Sequence, residues 1–213
     1  MATQLKIDFV SDVSCPWCVI GLKSLEVALA RLKGELEADL HFQPFELNPD
    51  MSAEGEDIVE HIARKYGSSP ADIARNGESI RARGAVLGFE FNMQQRARIY
   101  NTFDAHRLLH WAETEGKQEA LKNALFSAYF TEGRNPSDQA VLLDVTRKVG
   151  LDAERAAEIL ESDEFSAEVR EREKFYADRG IRAVPSVIIN DRHLIQGGQP
   201  VEVFESALRR LAG

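Results

Sequence analysis

Apolar residues follow two rhythms along this chain, and the rhythm changes several times. Near the start, Leu5, Ile7 and Phe9 alternate with Lys6 and Asp8 and run on into Val10, which predicts a short strand. From about Val19 the period lengthens. Leu22, Leu25, Leu29 and Leu32 share one helical face, while Lys23, Glu26, Arg31 and Lys33 fall elsewhere, and Gly34 stands where a helix ends. Alternation returns with Leu36, Ala38, Leu40 and Phe42, predicting a second strand region from Leu36 to Leu47. Strand, helix, strand over this length is a βαβ unit with a parallel strand pair.

After the turn Asn48-Pro49-Asp50 the pattern is helical almost to Gly180. Helices are predicted over Glu56–Tyr66 and Ala71–Leu87, the second introduced by Ser69-Pro70-Ala71-Asp72, which supplies a cap, a first-turn proline and an acid near the positive end of the dipole. Phe89 to Arg98 is irregular. Further apolar stripes follow: Ala105, Leu108, Leu109 and Ala112; then Leu121, Ala124, Leu125 and Ala128; then Leu142, Val145 and Val149. Gly116, Gly133, Asn135-Pro136-Ser137 and Gly150 separate them. Asp152 caps a short helix to Leu160, and a longer one spans Phe165–Asp178. Strand signals come back in Val184–Asn190 and His193–Ile195 around an Asn190-Asp191-Arg192 turn, and a last helix starts near Pro200 with Phe204, Ala207, Leu208 and Leu211 on one face.

The ends of the chain thus make βαβ and ββα around a helical middle. This predicts an α/β, thioredoxin-like fold with a large all-helical insertion. Residues 1–50 and 181–213 form the discontinuous thioredoxin-like domain, and residues 51–180 the insertion. With 213 residues, 44% of them hydrophobic, the chain is long enough to bury a full core. A net charge of −9 argues against nucleic acid as a partner. No stretch has the length and apolar character of a membrane span, and Met1–Lys6 lacks a basic region followed by an apolar core, so the cytoplasm is the expected compartment.

The two cysteines change the picture most. Cys15 and Cys18, the only cysteines of the chain, flank Pro16 and Trp17 at the junction between the first strand and the first helix. Only a thiolate is nucleophilic, and unpaired N–H groups and the dipole at a helix start favour negative charge. Cys15 is therefore expected below the ordinary thiol pKa. Cys18, one turn further in and above that pKa, is placed to attack any mixed disulfide formed on Cys15. Pro16 suits the first turn, where its missing N–H costs nothing. A disulfide across so short a loop removes little chain entropy, which weakens the structural reading, and a zinc site lacks a second cysteine pair.

In order along the chain, Asp12-Val13-Ser14-Cys15-Pro16-Trp17-Cys18 with Ile20-Gly21, Phe45-Glu46-Leu47-Asn48-Pro49-Asp50-Met51, Lys65-Tyr66-Gly67, Asn101-Thr102 with Ala105-His106-Arg107-Leu108, Ala128-Tyr129-Phe130, Gly180-Ile181, Val184-Pro185-Ser186 and Gly197-Gly198-Gln199-Pro200 resemble the DsbA-like thioredoxin-fold oxidoreductases, and within them the FrnE-type branch. The superfamily also holds 2-hydroxychromene-2-carboxylate isomerases and kappa-class glutathione transferases, which place a serine at the position of Cys15. The resemblance implies a thiol–disulfide oxidoreductase with Cys15 attacking and Cys18 resolving. It implies no resident cofactor, with glutathione the one small co-substrate to consider, and protein thiols and disulfides or glutathione as partners of a monomer or homodimer. It further implies that Pro185 is cis and faces the cysteine pair, leaving the Val184 backbone free to bind an extended substrate. The residues alone read Pro185 as an edge-strand proline. A glutathione-dependent isomerase or transferase is the alternative enzyme, and a non-enzymatic partner-binding protein the alternative outside catalysis.

Other residues carry two readings each. Trp17 is a substrate contact or a cover over the sulfurs. Asp12 takes a proton from the resolving thiol or serves as a turn residue. Asn48 touches substrate or caps a turn. His106 and His110 share a helical face, but neither Asp104 nor Glu113 completes a metal set, so no metal is expected. The run Arg170-Glu171-Arg172-Glu173-Lys174 reads as a solvated helix face. The insertion, entered after one strand and left just before Pro185, is expected to wall the substrate groove, with His106 or its neighbours facing Cys15.

Overall fold

The computed structural model describes residues 3–212. Its main sheet has the order β2-β1-β5-β6, built from β1 (Thr3–Ser11), β2 (Leu36–Pro44), β5 (Ser186–Ile189) and β6 (His193–Gln196). β1 and β2 run parallel, with Ile7 opposite Leu40 and Phe9 opposite Phe42, as the βαβ reading requires. β5 is antiparallel to β1 and to β6. The turn between β5 and β6 places Asn190 and Asp191 at φ 53° and 56°, the left-handed pair that a tight hairpin takes and that Asn and Asp tolerate.

β1 is central and covered on both faces, which is why its inner half is buried without a break. Leu5, Ile7 and Phe9 point one way, into a core shared with α1 (Pro16–Arg31) and α9 (Val201–Ala212). Phe9 is wholly buried, which by transfer from water contributes roughly 1.5–3 kcal/mol. Val10 points the other way, against Tyr176 of α8 (Ser166–Asp178) and Ile181.

Between β2 and β5 lie α2 (Ile58–Tyr66), α3 (Pro70–Val86), α4 (Phe103–Thr114), α5 (Gln118–Phe126), α6 (Gln139–Lys148), α7 (Ala153–Leu160) and α8. The predicted capping of α3 is present: the Ser69 and Asp72 side chains each bond the other's backbone. Asp138 and Asp152 cap α6 and α7 in the same spirit. The insertion is not wholly helical. β3 (Glu56–Asp57) pairs with β4 (Arg98–Ile99), and Ser127–Thr131 forms a π-helical turn on the end of α5. Two-residue strands carry no periodicity, so the sequence offers no sign of them. Ala105, Leu108, Leu121, Leu125, Leu142, Val145, Ala156 and Ile159 build a second core between α4, α5, α6 and α7, and Val13 joins it from the main fold. Phe89, Phe91, Phe126, Tyr129 and Phe130 cross in the opposite direction into the core under the sheet.

Gly84 of α3 is where the insertion seats on that core. A Cβ there would collide with the Phe91 ring and stand 2.9 Å from the Phe89 carbonyl oxygen. Overpacking of this kind costs about 1–3 kcal/mol. That exceeds the roughly 1 kcal/mol that Gly to Ala gains in a helix. Gly84→Ala should therefore lower the urea midpoint, whereas Gly77→Ala on the same helix, in open space, should raise it.

Candidate active site

The end of β1, the start of α1 and the Pro185 loop meet at one corner. Cys15 is the N-cap of α1 with extended backbone (φ −93°, ψ 113°), and Pro16 occupies the first turn, so the helix begins three residues earlier than its apolar stripe suggests. Both thiols are free. Cys15 is 4% exposed and reaches a groove, while Cys18 is 0% exposed and does not. The Val184–Pro185 peptide is cis, and the Cys15 thiol donates to the Val184 carbonyl at 3.8 Å. Two glycines permit this approach. A Cβ on Gly21 would come within 3.0 Å of the Pro185 ring, and one on Gly198 within 3.0 Å of the Trp17 carbonyl oxygen. Trp17 lines the groove beside Cys15, with the Arg83 guanidinium 5.1 Å over its ring and bonded at 2.5 Å to the Gly198 carbonyl.

The two sulfurs are held in opposite states. A hydrogen bond from the Cys18 thiol, helped by the N–H groups of Cys18 and Trp17, outweighs burial and brings Cys15 below the usual thiol range. Burial first, then the neighbouring Cys15, pushes Cys18 well above it. The directions are those expected at a helix start, but the largest cause for Cys15 is its partner thiol.

Asp12 lies wholly out of water. It accepts from the Ser14 N–H at 3.2 Å, the Ser14 hydroxyl at 3.0 Å and the Leu47 N–H at 2.7 Å. Burial alone would raise its carboxyl; the His106 ring and these N–H groups outweigh burial and hold it below the usual carboxylate range. It is therefore the turn residue of this corner and spans from the cysteine loop to the exit of β2. His106, 2% exposed, sets Nε2 3.6 Å from Asp12, and that nitrogen has no hydrogen-bond partner. His106 does not line the groove, contrary to expectation. The stripe of α4 turns this ring into the core behind Asp12 instead, and His110 packs separately against Phe165.

The groove measures about 1660 Å³. Its far wall is the insertion, as expected, but through α2, α3 and the segment after α3, with Ile62, Tyr66, Ile73, Ile80 and Phe91 among the lining residues. Asn48 borders it and accepts from Lys65 Nζ at 2.7 Å, so it anchors α2. The charged run on α8 is only partly solvated: Arg170 bonds Glu46 and Arg172 bonds Gln43, because α8 packs against β2 and long side chains reach across.

Two buried cations, Arg96 and Lys122, escape a sequence reading built on cysteine spacing. Arg96 donates to the Ser14 carbonyl at 3.2 Å and lies over the rings of Tyr129 and Phe130, which the π-helical turn presents. Lys122 is fully buried on α5. Its signal was present, for Lys122 falls on the buried stripe Gln118, Leu121, Leu125, Phe126.

A model of the DSBA-like thioredoxin domain matches residues 6–209. The chain belongs to the DsbA-like thioredoxin family. Among solved structures it is similar to a probable DsbA oxidoreductase of Streptomyces coelicolor, with 30% identity and a TM-score of 0.91 over 97% of this chain and 89% of that one. It is also similar to YwbO of Bacillus subtilis, 29% identical over 98% of this chain and 96% of YwbO. A 2-hydroxychromene-2-carboxylate isomerase shares the fold at 18% identity, with a TM-score of 0.71 over 97% and 95% of the two chains.

Two outcomes follow from this electrostatics. Thiolate absorbance against pH should place Cys15 below about 8.5 in the Cys18→Ser variant, where a hydroxyl still donates, and higher in Cys18→Ala, where nothing does. Asp12→Asn should cost about 1–3 kcal/mol through buried groups left poorly paired. Because the folded carboxyl is held below its unfolded value near 3.9, the wild type keeps Asp12's contribution above that pH and loses it as pH falls through the folded value. Urea unfolding of the Asn variant should lack this acid limb.

Proposed function

We propose that this protein exchanges dithiol for disulfide through Cys15 and Cys18, with polypeptides as its principal substrates. The observation that carries the reading is the difference in depth of the two thiols. Cys15 meets the groove with a lowered pKa, and Cys18 sits one turn below it, protonated and within hydrogen-bond reach. A substrate disulfide entering the groove meets the Cys15 thiolate first. Attack forms a mixed disulfide and releases one substrate thiolate. Cys18 then attacks Cys15, the intramolecular disulfide forms, and the second substrate thiolate leaves. Both electrons come from the cysteines, and the reverse sequence oxidises a substrate dithiol.

Pro16 and Trp17 shape the rim between the sulfurs. Val184 and Pro185 offer extended backbone opposite Cys15, where a peptide strand can lie. The size of the groove favours polypeptide, since small-molecule sites occupy roughly 300–1000 Å³. Its lining of Ile62, Ile73, Ile80 and Phe91 suits apolar side chains. Glutathione is the small thiol that exchanges at the same sulfur. A glutathione-dependent isomerase would leave Cys18 without a role, and a purely partner-binding protein would need neither thiol.

Insulin reduction by dithiothreitol should be accelerated by the wild type and by neither Cys15→Ser nor Cys18→Ser. In cell extract, Cys18→Ser should retain disulfide-linked proteins on Cys15, to be identified by mass after release with reductant. Recovery of glutathione alone would overturn the polypeptide assignment. Glutathione-dependent activity that survives Cys18→Ser would overturn the dithiol reading.

A further inference from the structure

Arginine is rarely buried without an anion to meet it. Arg96 is 8% exposed and lines the groove, and among the described residues it closes no ion pair. Its Nη2 donates to the Ser14 carbonyl at 3.2 Å, one residue from Cys15, while its Nε is buried and has no hydrogen-bond partner. The rings of Tyr129 and Phe130, with centroids 5.0 and 4.8 Å from the guanidinium carbon, answer part of the charge. They do not satisfy its N–H groups, which point outward in the guanidinium plane. Pinning the Ser14 carbonyl needs a donor but no charge. A glutamine would do that with less to bury.

The groove around Arg96 is short of free acids. Glu46 is bonded to Arg170, Asp72 to Arg75 and Glu78 to Arg81, and Glu90, the remaining acid of the lining, is exposed. The cations of the same lining are less tied. Arg182 is exposed and closes no ion pair among the described residues, and Lys65 donates to the Leu47 carbonyl and to Asn48. Arg96 is held to Ser14, and Arg182 stands just ahead of Val184, so a cation attends each of the two segments that meet at the Cys15 sulfur. The protein as a whole carries a net charge of −9.

We propose that the groove recognises polypeptides with an acidic residue beside the cysteine that exchanges with Cys15, and that Arg96 is the site for that carboxylate. The inference deepens the dithiol reading above and rests on it. Once a substrate cysteine is joined to Cys15, the residues two positions away lie roughly 7 Å along an extended chain. An aspartate or glutamate within that span reaches a guanidinium fixed one residue from Cys15. Its carboxylate supplies the missing charge and accepts the N–H groups that Ser14 leaves open, in the planar geometry that a guanidinium matches. Arg182 adds attraction at longer range. Arg96 binds and orients but takes no part in the exchange of electrons, so its loss changes the choice of substrate and not the chemistry.

Short peptides, acetylated and amidated so that the ends carry no charge, test this. Each bears its cysteine as a 2-thiopyridyl disulfide, and they differ only in the residues flanking that cysteine: Glu, Gln or Lys. Attack of the Cys15 thiolate on the peptide sulfur forms the mixed disulfide and expels pyridine-2-thione with the electron pair, read by absorbance. Cys18 then frees the peptide, read by mass. Peptide that stays attached to reduced wild type, or thione release unchanged in Cys15→Ser, would overturn the dithiol reading itself. With both steps established, the Glu peptide should react about tenfold faster than the Gln peptide, the low end for a hydrogen bond to a charged group, and the Lys peptide slowest. Net charge alone predicts the reverse order.

In Arg96→Gln, which keeps a donor for Ser14, the Glu and Gln peptides should react alike, and the Gln peptide close to its wild-type rate. Arg96→Lys, with the charge but without the fork, should retain part of the preference. Equal Glu and Gln rates in wild type would overturn the proposal with no variant needed. A preference that survives Arg96→Gln would do so too, by placing the carboxylate at another cation such as Arg182. Equal slowing of all three peptides in Arg96→Gln would reduce Arg96 to a strut of the cysteine loop. An effect of Arg96 confined to the 2-thiopyridyl disulfide of glutathione, with no preference among the peptides, would assign it to a small thiol. Either result overturns the proposal.

Discussion

The carboxylate of Asp12 sits where no water reaches it, and several elements are arranged to answer its charge. Ser14 supplies two donors from the cysteine loop, Leu47 supplies one from beyond β2, and His106 approaches from α4. A hydrogen bond to a charged group is worth about 1.5–3 kcal/mol. Removal of a partner from a buried charge costs roughly 3–5 kcal/mol. The loop bearing Cys15 therefore cannot drift without exposing or orphaning this charge. The insertion is bound into the same arrangement, since α4 belongs to it.

The difference between the two sulfurs follows from depth along one helix. Three residues of α1 carry Cys18 about 4.5 Å further along the axis than Cys15. Over that distance the surroundings change from a groove edge, with N–H groups at the helix start, to a sealed core. Each thiol then reinforces the other: the protonated Cys18 donates to Cys15, and negative charge on Cys15 discourages ionisation of Cys18. Arg96 brings a buried positive charge to the Ser14 carbonyl next to Cys15, and among the described residues it closes no ion pair.

The groove lies where α2 and the outer side of α3 present apolar residues such as Ile62 and Ile73, while Ile80 and Gly84 fasten α3 to the core. α2 buries only His61 as a whole residue, while Tyr66 at its end is 60% exposed and lines the groove. An amphipathic helix with its apolar face open to a groove is poised to bind rather than to pack. The glycines at 21 and 198 do the complementary task on the near side, where they let the Pro185 loop close on α1.

Local periodicity and punctuation determined most of the architecture. Leu5, Ile7 and Phe9 could only be a strand buried on that face, the leucines of α1 only a helix covering it, and the glycines, prolines and capping aspartates set the boundaries of the insertion. The cysteine spacing also determined the chemistry on offer, because a nucleophile at a helix start with a second thiol one turn below it is a local arrangement. Contacts between distant segments were decided by tertiary structure alone. That His106 backs Asp12 instead of lining the groove, that Arg172 reaches β2 and Arg170 the segment after it, that β3 pairs with β4 and that Lys122 is buried in full all depend on how elements far apart in sequence pack. Residue spacing encodes which face of a helix is apolar, but not which neighbour that face will meet. The functional surroundings of a thiol are made of such neighbours.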